Sequence, residues 1–211
     1  MTSHNIDQTR ILTRAEITAV IADLGRKKRR SIGTRQNAVI FRLSACCGCR
    51  VSEIIGLTMA NVKLAGSRPF IHVPAAIAKR HKARKAPLWW DAGTLAVMEQ
   101  WKAERTAQGA TGESPFICHH HKGTEGTRLS VRTAQARFKT AIKVLGKERQ
   151  ALLSIHSGRH SFCSHALAGG RSLAEVRDAA GHSNISTTSI YLHAVHENDE
   201  QVGNLFDFTA R

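Results

Sequence analysis

The chain holds one tyrosine, Tyr191, which closes the stretch Gly181-His182-Ser183-Asn184-Ile185-Ser186-Thr187-Thr188-Ser189-Ile190-Tyr191. Upstream stand His156-Ser157-Gly158-Arg159-His160 and the Arg50 of Cys49-Arg50-Val51-Ser52-Glu53. A phenol offers an oxygen nucleophile. Two guanidiniums and the accompanying imidazoles suit a phosphate whose negative charge grows during attack. Arginine fits that task because its planar fork donates two parallel hydrogen bonds and stays charged at any working pH. Donors fixed in advance where charge develops often supply the largest single contribution to catalysis. These residue types, in this order, imply cleavage and rejoining of a nucleic-acid strand through a phosphotyrosine.

The set resembles the catalytic domain of the tyrosine recombinases (phage integrases), most closely the Xer-like and integrase-like members, from about Leu12 to about Ala194. Leu12-Thr13-Arg14-Ala15-Glu16 is similar to the opening of that domain, and Cys49-Arg50-Val51-Ser52-Glu53-Ile54-Ile55-Gly56-Leu57 to its first arginine motif. Ala78-Lys79-Arg80-His81-Lys82-Ala83-Arg84-Lys85-Ala86-Pro87-Leu88 resembles the β-hairpin that bears the catalytic lysine. The His-x-x-Arg-His and Gly-His-x8-Tyr blocks complete the series. A lone His-x-x-Arg carries little information; five blocks in family order with fitting gaps are specific. The chain departs from the family at Cys46-Cys47-Gly48-Cys49, where Thr-Gly-Leu is usual, at Gly158, where Leu is common, and at Asn61, often Asp. None of these removes a catalytic group.

By this resemblance Tyr191 attacks a backbone phosphorus, becomes joined to the 3′-phosphate and expels a 5′-hydroxyl. The covalent intermediate conserves the phosphodiester energy, so resealing needs no ATP and no cofactor is expected. Arg50 and Arg159 grip the non-bridging oxygens. Lys79 protonates the departing 5′-oxygen, with Lys82 as its substitute. Arg80, Lys82, Arg84 and Lys85 crowd the same hairpin and are assigned to DNA. His156 assists proton transfer near the tyrosine and His182 donates to a phosphate oxygen. Glu53 buttresses Arg50, and His160 is a packing and hydrogen-bonding residue. The implied substrate is double-stranded DNA, handled by a homotetramer on two duplexes with a monomer when free, and accessory proteins as further partners.

Two other readings use the same residues. A type IB topoisomerase shares the constellation and differs in product, relaxed circles against recombined junctions. A DNA-binding regulator that has lost turnover is the non-enzymatic reading, and the intact set of six residues argues against it. Cys118-His119-His120-His121 and Cys46/Cys47/Cys49 offer zinc ligands. Neither has a second paired motif, so no metal site is assigned, and the arginines already supply the positive charge. No Walker-type phosphate loop occurs.

Bulk properties agree. Lys+Arg number 31 against 16 Asp+Glu, giving a formal charge of +15, a field that calls for a polyanionic partner such as DNA. With 42% hydrophobic and 22% charged residues, the composition is globular rather than disordered. There is no run of about 18 apolar residues and no signal-like segment, so neither a membrane span nor secretion is expected. Five cysteines, an odd number without scaffold spacing, fit a reducing cytoplasm.

The elements that must position these groups read as mainly α with one small antiparallel sheet, an α+β fold. Thr13 and Glu16 form a capping box opening a helix with Ile17, Val20, Ile21 and Leu24 as its stripe. Residues 36–47 read as a buried helix and 51–57 as another. Phe70–Val73 and Lys85–Leu88 suit strands, with Lys79 near the turn and Pro87 at an edge or strand end. Asp91 caps a helix over 92–107. Ser130 opens a basic amphipathic helix to about Leu145, Ser172-x-x-Glu175 is a second capping box, and a helix over 186–194 is expected to carry Tyr191. Residues 1–11 read as a loose segment, 12–194 as the catalytic domain, and 195–211 as a tail docking on its own domain or a neighbouring protomer. Relatives usually carry an amino-terminal helical domain of roughly a hundred residues (the size of an ordinary domain); only about a dozen residues precede the core here, which reads as a minimal recombinase or a truncated one.

Overall fold

A computed structural model describes residues 7–192. Helix α1 spans Arg14–Lys27, and its start is the expected capping box: Thr13 Oγ1 accepts from the Glu16 amide at 3.1 Å, and Glu16 accepts from the Thr13 amide at 2.8 Å. Ile17, Val20 and Leu24 form its buried stripe. Helix α2 runs Ile32–Ala45, beginning earlier than the apolar pattern indicates because Ser31 caps it through the Thr34 amide at 3.1 Å. It is the central element, packed by helices α1, α4 (Ala92–Ala107), α5 (Val131–Ala141) and α7 (Ile155–Ala168). Short helices α3 (Val51–Gly56) and α6 (Lys147–Leu152) follow α2 and α5 in the chain.

Three antiparallel strands in the order β1-β2-β3 form the sheet: β1 Val62–Lys63, β2 Phe70–Val73 and β3 Arg84–Pro87. Val73 pairs with Arg84 and Phe70 with Pro87, so the β2–β3 connection holds Lys79–His81 as a short 3-10 turn. Pro87 closes an edge strand, where its missing N–H costs no ladder bond. The fold is therefore mainly α with a small antiparallel sheet.

A large core gathers α1 to α5 and the sheet. A second, smaller cluster holds Phe162, Cys163 and Ala166 of α7, Val176, Ala179 and Ala180 of α8 (Leu173–Ala180), and Tyr191. The nucleophile candidate is thus part of a packed cluster. Among the described residues helix α9 covers Ser186–Ser189, so the expectation that the helix over 186–194 carries Tyr191 is corrected: Tyr191 follows it in a turn, its amide donating to Thr188 O at 3.1 Å, and 193–194 lie outside the described residues. The Ser-Thr-Thr-Ser run explains this, since its hydroxyls and β-branches are poor helix formers.

Residues 7–11, expected to be loose, are held in place. Arg149 donates to the Thr9 and Ile11 carbonyls and pairs with Glu16 at 2.6 Å, while the Leu12 amide donates to Ser161 Oγ at 2.8 Å. His165 Nε2 completes the tie at Leu12 O, 2.7 Å away. Residues 1–6 and the tail at 195–211 lie outside the described residues. Among the described residues, no helix is long and apolar enough to cross a membrane.

Candidate active site

Arg50 occupies the cap position of α3, where the backbone is extended before the helix starts. Three residues on, Glu53 turns back: it accepts from the Arg50 amide at 2.7 Å and from Arg50 Nη1 at 3.1 Å. The other claimant on this carboxylate is Arg84 on β3, whose Nη2 lies 2.7 Å from Glu53 Oε2. Glu53 is wholly buried. Burial pushes its carboxyl up, but Arg84, the Arg50 amide and Arg159 outweigh that and hold it below the usual carboxylate range. Arg84 also donates to the carbonyl of Ala179, in the last turn of α8. The expectation that Arg84 contacts DNA is therefore corrected: its side chain is buried and committed to Glu53 and α8.

Helix α8 ends on Gly181 in the left-handed conformation, φ +67°, which glycine adopts without a Cβ penalty. Its carbonyl accepts from Arg50 Nη2 at 3.4 Å, and the next residue is His182. His182 Nδ1 lies 2.9 Å from Thr188 Oγ1, and its ring stacks on that of Tyr191 at 6.2 Å and 3°. Burial and the nearby Arg159, Arg50 and Arg84 bring its imidazole down to about 3, so it is neutral at ordinary pH.

Helix α7 carries the remaining set. Its Gly158 lets α2 approach: a Cβ there would lie 2.1 Å from Ser44 Oγ. Arg159, 6% exposed, donates through Nη1 to the carbonyl of Gly48. Gly48 itself sits at φ +63°, where a Cβ would collide with the Phe162 ring at 2.4 Å. Arg159 Nη2 is buried and has no hydrogen-bond partner among the described residues. Burial lowers this guanidinium to about 10, with Cys163 opposing and Arg50 and Arg84 adding to the fall; it remains charged at neutral pH. Tyr191 is 3% exposed, and its Oη lies 2.7 Å from His160 Nδ1. Burial, aided by Cys163 and opposed by Arg159 and Arg50, raises the phenol above its ordinary value.

A cleft of roughly 700 Å³ opens beside these groups, lined by Arg50, Lys79, Lys82, Arg177 and His182 among others. Lys79 and Lys82 are exposed on the hairpin. Lys85 also borders the cleft, with its Nζ 4.7 Å above the Phe70 ring. The side chain of Arg80 lies outside the described residues. His156 is exposed on α7; partial burial, Arg159, Arg50 and Lys79 lower its imidazole. Arg50 and His182 line the cleft with Lys79, Tyr191 stacks on His182, and Arg159 is among the charged neighbours of both His182 and Tyr191. Among the described residues, no three His, Cys, Asp or Glu cluster as metal ligands. Cys46, Cys49 and Cys163 are free and fully buried, which pushes their thiols up to about 12, 11 and 11.

The phage integrase family description matches residues 10–198. The chain belongs to the phage integrase family. Among its relatives, tyrosine recombinase XerC of Herpetosiphon aurantiacus is 35% identical over 167 residues, covering 78% of this chain and 50% of the relative. XerC of Stutzerimonas stutzeri is 31% identical over 160 residues (75% and 48%), and XerD of Pseudomonas putida 31% over 194 residues (90% and 59%). The chain thus spans about half the length of the curated relatives it matches. The XerA recombinase structure superposes with a TM-score of 0.69 at 20% identity, covering 87% of this chain and 60% of that one. The XerH recombinase gives 0.68 at 20% identity (87% and 49%). At that identity the likeness is one of fold.

Within this integrase fold, two placements escaped the sequence reading. Strand alternation carries the signal for Arg84, which shares its face with Ala86, the inward residue of β3. For His160, the spacing of four from His156 puts both imidazoles on one helix face, yet only His160 reaches the phenol.

Proposed function

We propose that the chain acts as a site-specific DNA recombinase or integrase, cutting and rejoining DNA by transesterification through a 3′-phosphotyrosine at Tyr191. One observation carries the reading: Arg159 is buried with Nη2 unpartnered, within electrostatic reach of Arg50 and Tyr191. A buried cationic donor without a partner is costly until an anion arrives. A backbone phosphate supplies that anion, and the two guanidiniums then face its non-bridging oxygens. Attack forms the Tyr191 Oη–P bond and breaks the P–O5′ bond. The phenol proton passes to a neighbouring base, and Lys79 protonates the departing 5′-oxygen. Resealing is the reverse, so the phosphodiester energy is retained in the adduct.

His182, neutral and ordered by Thr188, donates to a phosphate oxygen from the same side as the tyrosine ring. His156, with Arg159, Arg50 and Lys79 as its charged neighbours, assists proton transfer. The cleft rim, with Lys79, Lys82 and Lys85, tracks the phosphate backbone. The curated relatives named as tyrosine recombinases support this reading, as does XerH, whose structure holds its difH substrate in a post-cleavage complex. The active assembly is a homotetramer on two duplexes, the free protein a monomer, and the reaction belongs to the cytoplasm and its nucleoid.

The test is covalent trapping. The protein is mixed with nicked suicide duplexes made from DNA flanking its own gene, and SDS-resistant adducts are scored beside a Tyr191→Phe control. An adduct that disappears in Tyr191→Phe is the expected result. No wild-type adduct despite tight binding would overturn the reading.

A further inference from the structure

Resting on Tyr191 as the nucleophile, we infer that His160, rather than His156, accepts the phenol proton in cleavage and returns it in resealing. The geometry is direct. His160 Nδ1 lies 2.7 Å from Tyr191 Oη and is the hydrogen-bond partner of that oxygen among the described residues. The rings sit 5.8 Å apart and tilted by 33°, so the bond runs edge to hydroxyl and not through stacking. His182 stacks on the phenol ring, and its Nδ1 is engaged with Thr188. His156, one turn before His160, has Arg159, Arg50 and Lys79 as its charged neighbours. Of the two imidazoles of α7, His160 is the one hydrogen-bonded to the nucleophile.

Attack by a buried phenol needs a base, because burial keeps the oxygen protonated. The base must lie within hydrogen-bond reach of the proton that it removes. His160 meets that condition and is neutral in the resting protein. Burial lowers it, and the surrounding His156, Arg159 and Arg10 add to the fall. Among the described residues, the titratable and charged groups that face it include His156 and Arg159 on α7, Arg10 from the amino-terminal turn, His182 after α8, and Tyr191. A phosphate docked on Arg159 and Arg50 offsets the positive charge that holds His160 neutral. Substrate binding then raises the basicity of His160 at the moment when the phenol must lose its proton. The balance is complete: Oη–H breaks and Nδ1–H forms as Oη bonds phosphorus, while the 5′-oxygen takes its proton from Lys79. In resealing, the imidazolium returns the proton to Oη as the Oη–P bond breaks.

The full chain is tested as His160→Gln, His160→Ala and Tyr191→Phe, with single-turnover adduct formation on the same nicked suicide duplexes and gel-shift binding alongside. His160→Gln keeps a hydrogen-bonding side chain but not the base, and is expected to form adduct about 100-fold or more slowly with binding unchanged. His160→Ala is expected to be as slow and to recover partly with added imidazole. A His160→Gln rate within a few-fold of wild type overturns the inference, as does His160→Ala that imidazole fails to rescue. Adduct persisting in Tyr191→Phe, or absent from wild type, overturns the recombinase reading itself and this assignment with it.

Discussion

Arg84 and Glu53 meet at 2.7 Å in the interior, on a carboxylate whose other oxygen holds Arg50 at 3.1 Å. This shared carboxylate ties the β3 end of the lysine hairpin to Arg50, the proposed phosphate ligand. Through the Ala179 carbonyl, Arg84 reaches a third element, the end of α8 that delivers His182. Three catalytic candidates on three separate stretches of chain are thus referenced to one buried guanidinium.

Arg84→Ala leaves Glu53 buried with Arg50 as its remaining close ion-pair partner and frees the Ala179 carbonyl. Breaking a buried pair by removing one partner costs about 3–5 kcal/mol, and urea denaturation is expected to show a loss of that order. Arg84→Lys keeps the charge but not the fork, and its stability is expected between those of wild type and Arg84→Ala. Adduct formation falls in both, because Arg50 loses its fixed orientation. Wild-type stability in Arg84→Ala would mean that the side chain faces DNA after all.

Gly158 and Ser44 make a second pair whose coupling is measurable. A Cβ at position 158 would meet Ser44 Oγ at 2.1 Å and Ser44 Cβ at 3.1 Å, while that hydroxyl donates to the Ile155 carbonyl at 2.6 Å. Gly158→Ala is expected to destabilise by about 1–3 kcal/mol through overpacking, and Ser44→Ala by about 1 kcal/mol through the lost hydrogen bond. Together they should cost less than their sum, since removing Oγ clears the worst overlap. A strictly additive cycle would show that α2 and α7 part freely at this point.

Much of this was legible in the sequence, and the misses share a cause. The Thr13–Glu16 and Ser172–Glu175 capping boxes are local devices, so their helices start where the residues indicate. The blocks around Arg50, Arg159 and Tyr191 carry family spacing, and the chain brings them together. Arg84 reads as a DNA contact because it stands in a run of cations on the hairpin. Its destination depends on Glu53, 31 residues earlier, and on the end of α8, 95 residues later. His160 reads as a packing and hydrogen-bonding residue, but its partner Tyr191, 31 residues away, cannot be named from local spacing. Tyr191 lies beyond α9 because Ser186–Ser189 forms a single turn too short to continue.

Acid should destabilise the protein before its carboxylates titrate. In the folded state His182 is brought down to about 3, by burial and then by Arg159, Arg50, Arg84 and His160. His120 is brought down to about 4, by burial and then by Arg105 and Arg137. In the unfolded chain both take up a proton near pH 6.5. Between about pH 6.5 and 4 the unfolded state therefore binds more protons, and stability rises with pH across that window. The denaturation midpoint should be flat above about pH 7 and fall steadily below about 6.5. His120→Gln, which keeps a partner for Gln36, should make the fall shallower. A midpoint that stays constant from pH 7.5 down to 5 would contradict the burial of these imidazoles.

Lys79 stands at the rim of the cleft on an exposed 3-10 turn, where its ammonium is free to meet a leaving oxygen. An alkoxide leaves poorly without a proton, whereas a thiolate leaves readily because its conjugate acid is far stronger. Lys79→Ala is therefore expected to cut adduct formation on an ordinary phosphodiester by about 100-fold or more. It should approach the wild-type rate when the 5′-bridging oxygen is replaced by sulfur. Arg159→Ala must not be rescued in this way, because it removes charge stabilisation at the non-bridging oxygens and not a proton. If the sulfur substrate leaves Lys79→Ala slow but restores Lys82→Ala, the acid is Lys82, three residues further along the same hairpin.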